Sequence, residues 1–302
     1  MPQPTIERIS YAGWPNCYRL SNGETELIVT TDVGPRVMRY GFVGGQNLFV
    51  EIKDQLGNSG ESSWCMRGGH RLWASPEVKP DTYALDNGPV HATISDSSIE
   101  LLQPVEPETG LEKQILIAYE PSGRVKVIHR ISNRGKRSRR LALWALSQMA
   151  PGGIGIATFP PRGGHTEQLL PTHPLVMWAY TNFSDKRWTL MNKYLVLRQD
   201  SANPSPQKAG LFNVDTRAAY LLGSDLFIKR SQARLNAQYP DFHCSFEIFA
   251  NGDFLEVETL GPLLDLAADA TTEHEETWSL HRDIHLAAVS EEEIERVIRP
   301  LL

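Results

Sequence analysis

Alternation of polar and apolar residues with a period of two dominates this chain. Glu26-Leu27-Ile28-Val29-Thr30-Thr31 and Arg36-Val37-Met38-Arg39-Tyr40-Gly41-Phe42 read as strands on either side of the turn Asp32-Val33-Gly34-Pro35. Such a pattern suits a sheet with one buried face. Val125, Val127, His129 and Ile131 share one face of a further strand, and Leu141, Leu143 and Ala145 share one face of the next. Residues 217–222, 225–230, 244–250, 254–260 and 272–282 are later strand candidates. With 23 glycines and 20 prolines spread along the chain, no interior window sustains a long 3.6-residue period. One helix is expected, at the end. Ser290-Glu291-Glu292-Glu293 forms a capping box in front of the apolar stripe Ile294, Val297, Ile298 and Leu301.

A dozen or more short strands punctuated by turns predict an all-β fold. The expectation is one domain over residues 1–302, a large antiparallel β-sandwich with a short C-terminal helix. The stretches 151–174 and 199–207 read as loop insertions near one end of the sheets, where binding groups tend to collect.

Composition narrows the function classes. Of 302 residues, 41% are hydrophobic and 22% charged, as expected of a soluble protein with a sizeable core. A net charge of −6 offers no general basic face, so nucleic acid is not an expected partner. The basic run Arg134-Gly135-Lys136-Arg137-Ser138-Arg139-Arg140 lies between two strand candidates and reads as a solvated hairpin loop. Cys17, Cys65 and Cys244 are odd in number and far apart, without zinc-like spacing, which suggests reduced thiols in a cytoplasm. No metal or cofactor is expected. The segment Met1-Pro2-Gln3-Pro4-Thr5-Ile6-Glu7 has no signal-peptide character, and no stretch approaches the ~18 apolar residues of a membrane helix.

The densest chemistry lies in Met66-Arg67-Gly68-Gly69-His70-Arg71-Leu72-Trp73-Ala74-Ser75-Pro76-Glu77. Paired glycines allow close backbone approach, Trp73 offers an apolar face for a sugar ring, and His70 can move protons near neutrality. Arg36, Arg67 and Arg71 can bind hydroxyls or an acidic group. A glycine bend whose Trp and Leu pack inward is the plainer reading. Glu256 and Glu258, two apart on one strand, face the same way, and each opposes the other's ionisation. Water on an outer sheet face is their alternative environment. Apolar residues on both faces of its strand make Glu247 a buried carboxylate in need of a cation, with Lys229 the first candidate, either as a structural pair or within a binding site. His129 reads as a core or interface histidine, and His274 shares a strand face with Glu276, Trp278 and Leu280.

Three segments together resemble the galactose mutarotase-like (aldose 1-epimerase) superfamily, closest to its uncharacterised bacterial aldose epimerase branch. They are 20–37 with its hairpin, Arg67-Gly68-Gly69-His70-Arg71-Leu72-Trp73, and a C-terminal series. That series runs from Tyr239-Pro240-Asp241 through Glu247 and 254–262 to His274-Glu275-Glu276-Thr277-Trp278. The resemblance implies a supersandwich of two twisted sheets with a sugar site in a concave cleft, and interconversion of sugar anomers. His70 with Glu258 or Glu256 would share the acid–base work, with Glu247 and Glu276 as further candidates. Arg36, Arg67, Arg71, Trp73, Lys229, Asp241 and Glu247 would bind a small sugar, sugar acid or sugar phosphate. Two family features are absent. The strand 141–149 carries no histidine, and residues 267–272 lack the expected Pro-Gly-Glu. A non-catalytic carbohydrate-binding protein on the same fold is the second reading. A lyase acting on acidic polysaccharide, using the arginines for uronate groups, is the third.

Overall fold

The computed structural model describes residues 3–302. Two antiparallel sheets stack face to face. The eleven-stranded sheet runs Thr5–Tyr11, Trp14–Ser21, Thr25–Thr30, Arg36–Phe42, Gly69–Ser75, Arg139–Met149, Leu255–Leu260, Phe246–Ala250, Gln207–Leu211 and Leu175–Met177, with Leu264–Leu266 paired to the start of Arg139–Met149. The ten-stranded sheet runs Trp188–Leu190, Tyr194–Arg198, Ile154–Thr158, Asp215–Leu222, Asp225–Gln232, Thr271–His281, Val125–Asn133, Leu111–Tyr119, Ser98–Leu102 and His91–Ile94.

The alternation legible in the sequence sets the inner faces. Leu72, Leu143, Ile248 and Val257 of the first sheet meet Val127, Ile131, Phe227 and Trp278 of the second in one continuous apolar layer. The C-terminal turn covers the other face of the ten-stranded sheet, where Ile294 and Ile298 pack on Ile156, Val196, Ala219 and Ile228. Its cap forms as expected, with Ser290 Oγ accepting from the Glu293 amide at 3.3 Å. Among the described residues no helix is long and apolar enough to cross a membrane. The basic run 134–140 bends between Val125–Asn133 and Arg139–Met149, with Arg134, Arg139 and Arg140 paired to Glu112, Asp81 and Asp265.

Both expected insertions contain strand. Ile154–Thr158 lies inside the stretch read as loop and pairs with Tyr194–Arg198 on one side and Asp215–Leu222 on the other. Its glycines misled the reading. A Cβ on Gly155 would come within 2.7 Å of Ile248 Cδ1, so this glycine permits the close approach of the two sheets. Likewise Gln207 does not end a loop but opens the strand Gln207–Leu211.

The Gly68–Gly69 bend does what paired glycines suggest. Both have positive φ, +92° and +77°, and added Cβ atoms would lie 2.0 Å from the Val50 carbonyl oxygen and 2.3 Å from that of Val37. Gly68→Ala should therefore cost about 3 kcal/mol or more, through strain and overlap together. Gly44→Ala has a positive φ but open space around it, and should cost about 1 kcal/mol. Urea unfolding of the two variants checks this, and equal losses would contradict it.

Candidate functional site

Strand register assembles the polar residues of the eleven-stranded sheet into rows. Arg36, Arg71, Leu146, Glu258, Glu247 and Gly210 stand directly opposite one another on successive strands. Trp73, Trp144 and Leu260 form the next row on the same face, and Gln148, Glu256, Phe249 and Lys208 the row on the other side. Since successive side chains of a strand point to opposite faces, all of these point away from the second sheet. Loops roof this outer face. Trp64 and Tyr83 pack against Trp73, and Trp178 lies over Gly210.

Aromatic faces and charges interleave here. The Arg71 guanidinium lies 4.0 Å from the Trp73 ring centroid and 4.8 Å from that of Trp64. Lys208 Nζ lies 4.5 Å from the Trp144 ring and 4.9 Å from Trp178, and bridges Glu247 at 2.8 Å and Glu258 at 3.0 Å. Trp144 Nε1 donates to Glu258 at 2.7 Å, and Gln148 Nε2 to Glu256 at 2.9 Å. Burial and the neighbouring Glu258 charge push the Glu256 carboxyl up to about 7, against the pull of Arg71. Burial holds Glu247 well above the carboxylate range despite Lys208. The charges of Glu247 and Glu258 overcome burial to hold Lys208 above its ordinary range. Burial, with help from Arg36, draws Arg71 down to about 10. A glutamate near neutrality beside a fixed cation and aromatic faces is equipped to move a proton on a polyhydroxylated ligand.

Unspent hydrogen-bonding capacity concentrates on this face, although Tyr40, Arg67, Asp86 and Gln103 also keep a buried atom without a partner. Arg71 Nε and Nη1, Trp64 Nε1, Gln148 Oε1, Glu258 Oε1 and Glu247 Oε1 are buried without a partner in the protein. Buried polar atoms are ordinarily satisfied, so such a cluster has capacity for a ligand or ordered water. Donors and acceptors are mixed, as hydroxyl groups, which both donate and accept, would require.

The opposite parity carries His70. This corrects the expectation that His70, Arg71 and Trp73 share one pocket: His70 points between the sheets and is wholly buried. Its Nδ1 meets Ser147 Oγ at 2.9 Å and its Nε2 meets His129 Nε2 at 2.7 Å. His129 Nδ1 meets the His274 carbonyl at 3.1 Å, which requires a proton on that nitrogen, so Nε2 of His129 accepts from His70. His274 Nε2 meets Thr259 Oγ1 at 2.7 Å, and Thr259 also donates to Glu276. Lys229 is likewise interior and corrects a second expectation. It pairs with Glu276 at 2.9 Å and donates to the Val257 carbonyl at 3.1 Å, whereas Glu247 is paired with Lys208 across the sheet from it. His70 and His129 use both ring nitrogens, His274 uses Nε2, and the side-chain polar atoms of Thr259, Glu276 and Lys229 have partners.

His70, His129 and Glu276 also form the one group, among the described residues, with metal-like spacing, their ligand atoms lying within 4.8 Å of one another. The two imidazoles are hydrogen-bonded to each other, and the Lys229 ammonium already stands as the cation on Glu276.

The remaining sequence candidates divide. Arg67 is removed from the ligand face, and its guanidinium ties together Gln55, Asn58, Glu61 and Asn87. Arg36 borders the face; its Nη atoms are taken by the carbonyls of Met66 and Gly68 and by Asp86, and its Nε keeps no partner. Asp241 stands at the rim, its Oδ2 3.4 Å from Ser75 Oγ. Lys208, Trp144, Gln148 and Trp64 escaped the sequence reading. Trp144 and Gln148 could have been found from the parity of 141–149, whereas Lys208 sat beside a stretch taken for loop.

Two outcomes follow from the charges. Lys208→Met leaves Glu258 without its cation and should cost roughly 3–5 kcal/mol. Glu247→Gln, close in shape to a protonated glutamate, should cost under about 1 kcal/mol. Thermal and urea unfolding read both, and a mild Lys208 variant beside a crippled Glu247 variant would reverse the assignment. Acid acts on the interior. Burial lowers His70 and His129 and takes His274 from 6.5 to about 3, so only the unfolded chain binds these protons and acid removes stability. Glu247 and Glu256, raised in the folded state, act in the opposite sense as pH falls toward their unfolded value of 4.5. Stability should therefore decline shallowly from pH 7 to about 5 and steeply below it. Denaturant midpoints across that range test this, and a rise in stability between pH 5 and 4 would contradict it.

No family model and no curated protein matches this chain. Solved structures do. A galactose mutarotase-like protein from Lactobacillus casei superposes with a TM-score of 0.59 at 12% identity, covering 88% of this chain and 100% of its own. A galactose mutarotase-like protein from Clostridium acetobutylicum gives 0.56 at 11% identity, covering 93% and 99%. A galactose mutarotase related enzyme from Lactobacillus acidophilus gives 0.52 at 9% identity, covering 88% and 98%. The two facing antiparallel sheets and these superpositions together establish that the chain has the galactose mutarotase-like fold.

Proposed function

We propose that the outer face of the eleven-stranded sheet binds a sugar and interconverts its anomers, with Glu256 and Glu258 as the acid–base pair. The observation that carries this reading is the cluster of partnerless donors and acceptors on that face, set among Trp64, Trp73 and Trp144. Anomer interconversion needs one group to take the proton of the anomeric hydroxyl and another to protonate the ring oxygen, each then reversing its role. Glu256 and Glu258, on one strand face, are spaced by about 7 Å of strand rise. That span lets them flank an anomeric carbon and its ring oxygen. Glu256, pushed up to about 7, gives and takes a proton near neutral pH. Glu258, fixed by Trp144 and Lys208, serves as the complementary acceptor. Arg71, with two unspent nitrogens, takes hydroxyls or the acid group of a sugar acid or phosphate. Nothing in this scheme uses His70, whose role is to join the two sheets.

The second reading is a sugar-binding protein without catalysis. It is favoured by the fact that no imidazole points from the strands Gly69–Ser75 and Arg139–Met149 to this face. Polarimetry at low temperature or saturation-transfer NMR, over neutral, acidic and phosphorylated monosaccharides, separates the two. Catalysis predicts that Glu256→Gln slows exchange by roughly 10²–10⁴-fold with little change in affinity. It also predicts a rate that titrates near pH 7. A protein that binds a sugar but leaves its anomers at the spontaneous rate is the binder. An unchanged rate in Glu256→Gln removes the acid–base assignment.

A further inference from the structure

Beside the outer face stands a strained backbone segment. Asp241, Phe242 and His243 follow one another with φ of +52°, +57° and +81°, a left-handed run in which none of the three is glycine. Such strain persists only where the surroundings impose it, and it concentrates at functional sites. The surroundings here are firm. Cys244 N donates to the Pro240 carbonyl at 2.8 Å, Cys244 Sγ to the Asp241 carbonyl at 2.9 Å, and the His243 ring lies 4.4 Å from that of Phe212. The product of all this is a Phe242 side chain that is 88% exposed, the most exposed large apolar residue among those described.

The segment adjoins the proposed sugar face on two sides. Asp241 reaches Ser75, the residue two beyond Trp73 and on the same strand face. Cys244 crowds Gly210 together with Trp178 and Glu247. Phe242 thus stands in the solvent between two residues, Asp241 and Cys244, that border the face.

We infer that Phe242 and Asp241 form an outer subsite that takes the second ring of a saccharide whose first ring occupies the Trp73–Trp144–Glu258 face. An exposed aromatic ring carried on a fixed backbone can stack on the C–H face of a pyranose, and a neighbouring carboxylate accepts from its hydroxyls. The substrate class this assigns is a disaccharide or longer glycoside. The inference rests on the sugar-binding reading above.

Calorimetric titration of glucose and galactose against maltose, cellobiose and lactose tests it, with the parent protein and two variants. Phe242→Asn removes the ring while keeping a residue that tolerates the left-handed conformation. Glu258→Gln perturbs the inner face. The expected result is that at least one disaccharide binds about tenfold more tightly than its monosaccharide. That advantage should vanish in Phe242→Asn while monosaccharide affinity stays, and Glu258→Gln should weaken both. Monosaccharide binding with no disaccharide advantage, or an advantage that survives Phe242→Asn, overturns the outer subsite and leaves the inner sugar site standing. Failure of every sugar to bind the parent overturns both.

Discussion

The two-residue period of three adjacent strands decides what this molecule can do. In Gly69–Ser75, Arg139–Met149 and Leu255–Leu260, one parity carries Arg71, Trp73, Trp144, Gln148, Glu256 and Glu258, and the other carries His70, Leu72, Ser147, Val257 and Thr259. The first set faces away from the second sheet and the second set faces into it. A slip of one residue in any of these strands would exchange the two environments. The Gly68–Gly69 bend, seated against the carbonyls of Val50 and Val37, holds the first strand in its register.

The two faces use buried polarity for different ends. Between the sheets, Lys229, Glu276, His70 and His129 are answered, and among the described residues Tyr40 alone of the core's ionisable side chains keeps a buried hydroxyl without a partner. Lys229 pairs with Glu276 and ties to the backbone of Val257, and the three imidazoles link through Ser147 and Thr259. A satisfied buried network of this kind fixes how two sheets dock but has nothing left to offer a ligand. On the outer face the balance is unfinished, because Arg71, Trp64, Gln148, Glu247 and Glu258 keep atoms without partners. The same residue types thus close a network on one side of a sheet and leave open capacity on the other.

Much of this was legible in the sequence. The period-two segments point to the sandwich, the capping box to the helix, and three segments together, the Arg-Gly-Gly one among them, to the superfamily resemblance. Glu256 and Glu258 were placed together by spacing alone. What was missed had physical causes. His70 was grouped with Arg71 and Trp73 because they are neighbours in sequence, although neighbours on a strand face opposite ways. Lys208 was passed over because Pro204 and Pro206 gave the start of its strand the look of a loop. Lys229 was offered to Glu247 because nothing local shows which of two stacked sheets a strand will join. The partner it found, Glu276, lies on the adjacent strand of its own sheet. Arg67 carried the donors of a ligand-binding arginine, but loop backbone consumes them.

The division between a ligand face and a structural face can be read in a single titration. The indole N–H of Trp144, bonded to Glu258, and that of Trp64, free of any partner, report on the outer face, while the rings of His70 and His129 report on the interior. Adding neutral, acidic and phosphorylated sugars to isotope-labelled protein should, for a sugar that binds, move the Trp144 and Trp64 indole signals and leave the His70 and His129 ring signals in place. A sugar that moves the imidazole signals while both indoles stay still would contradict the account.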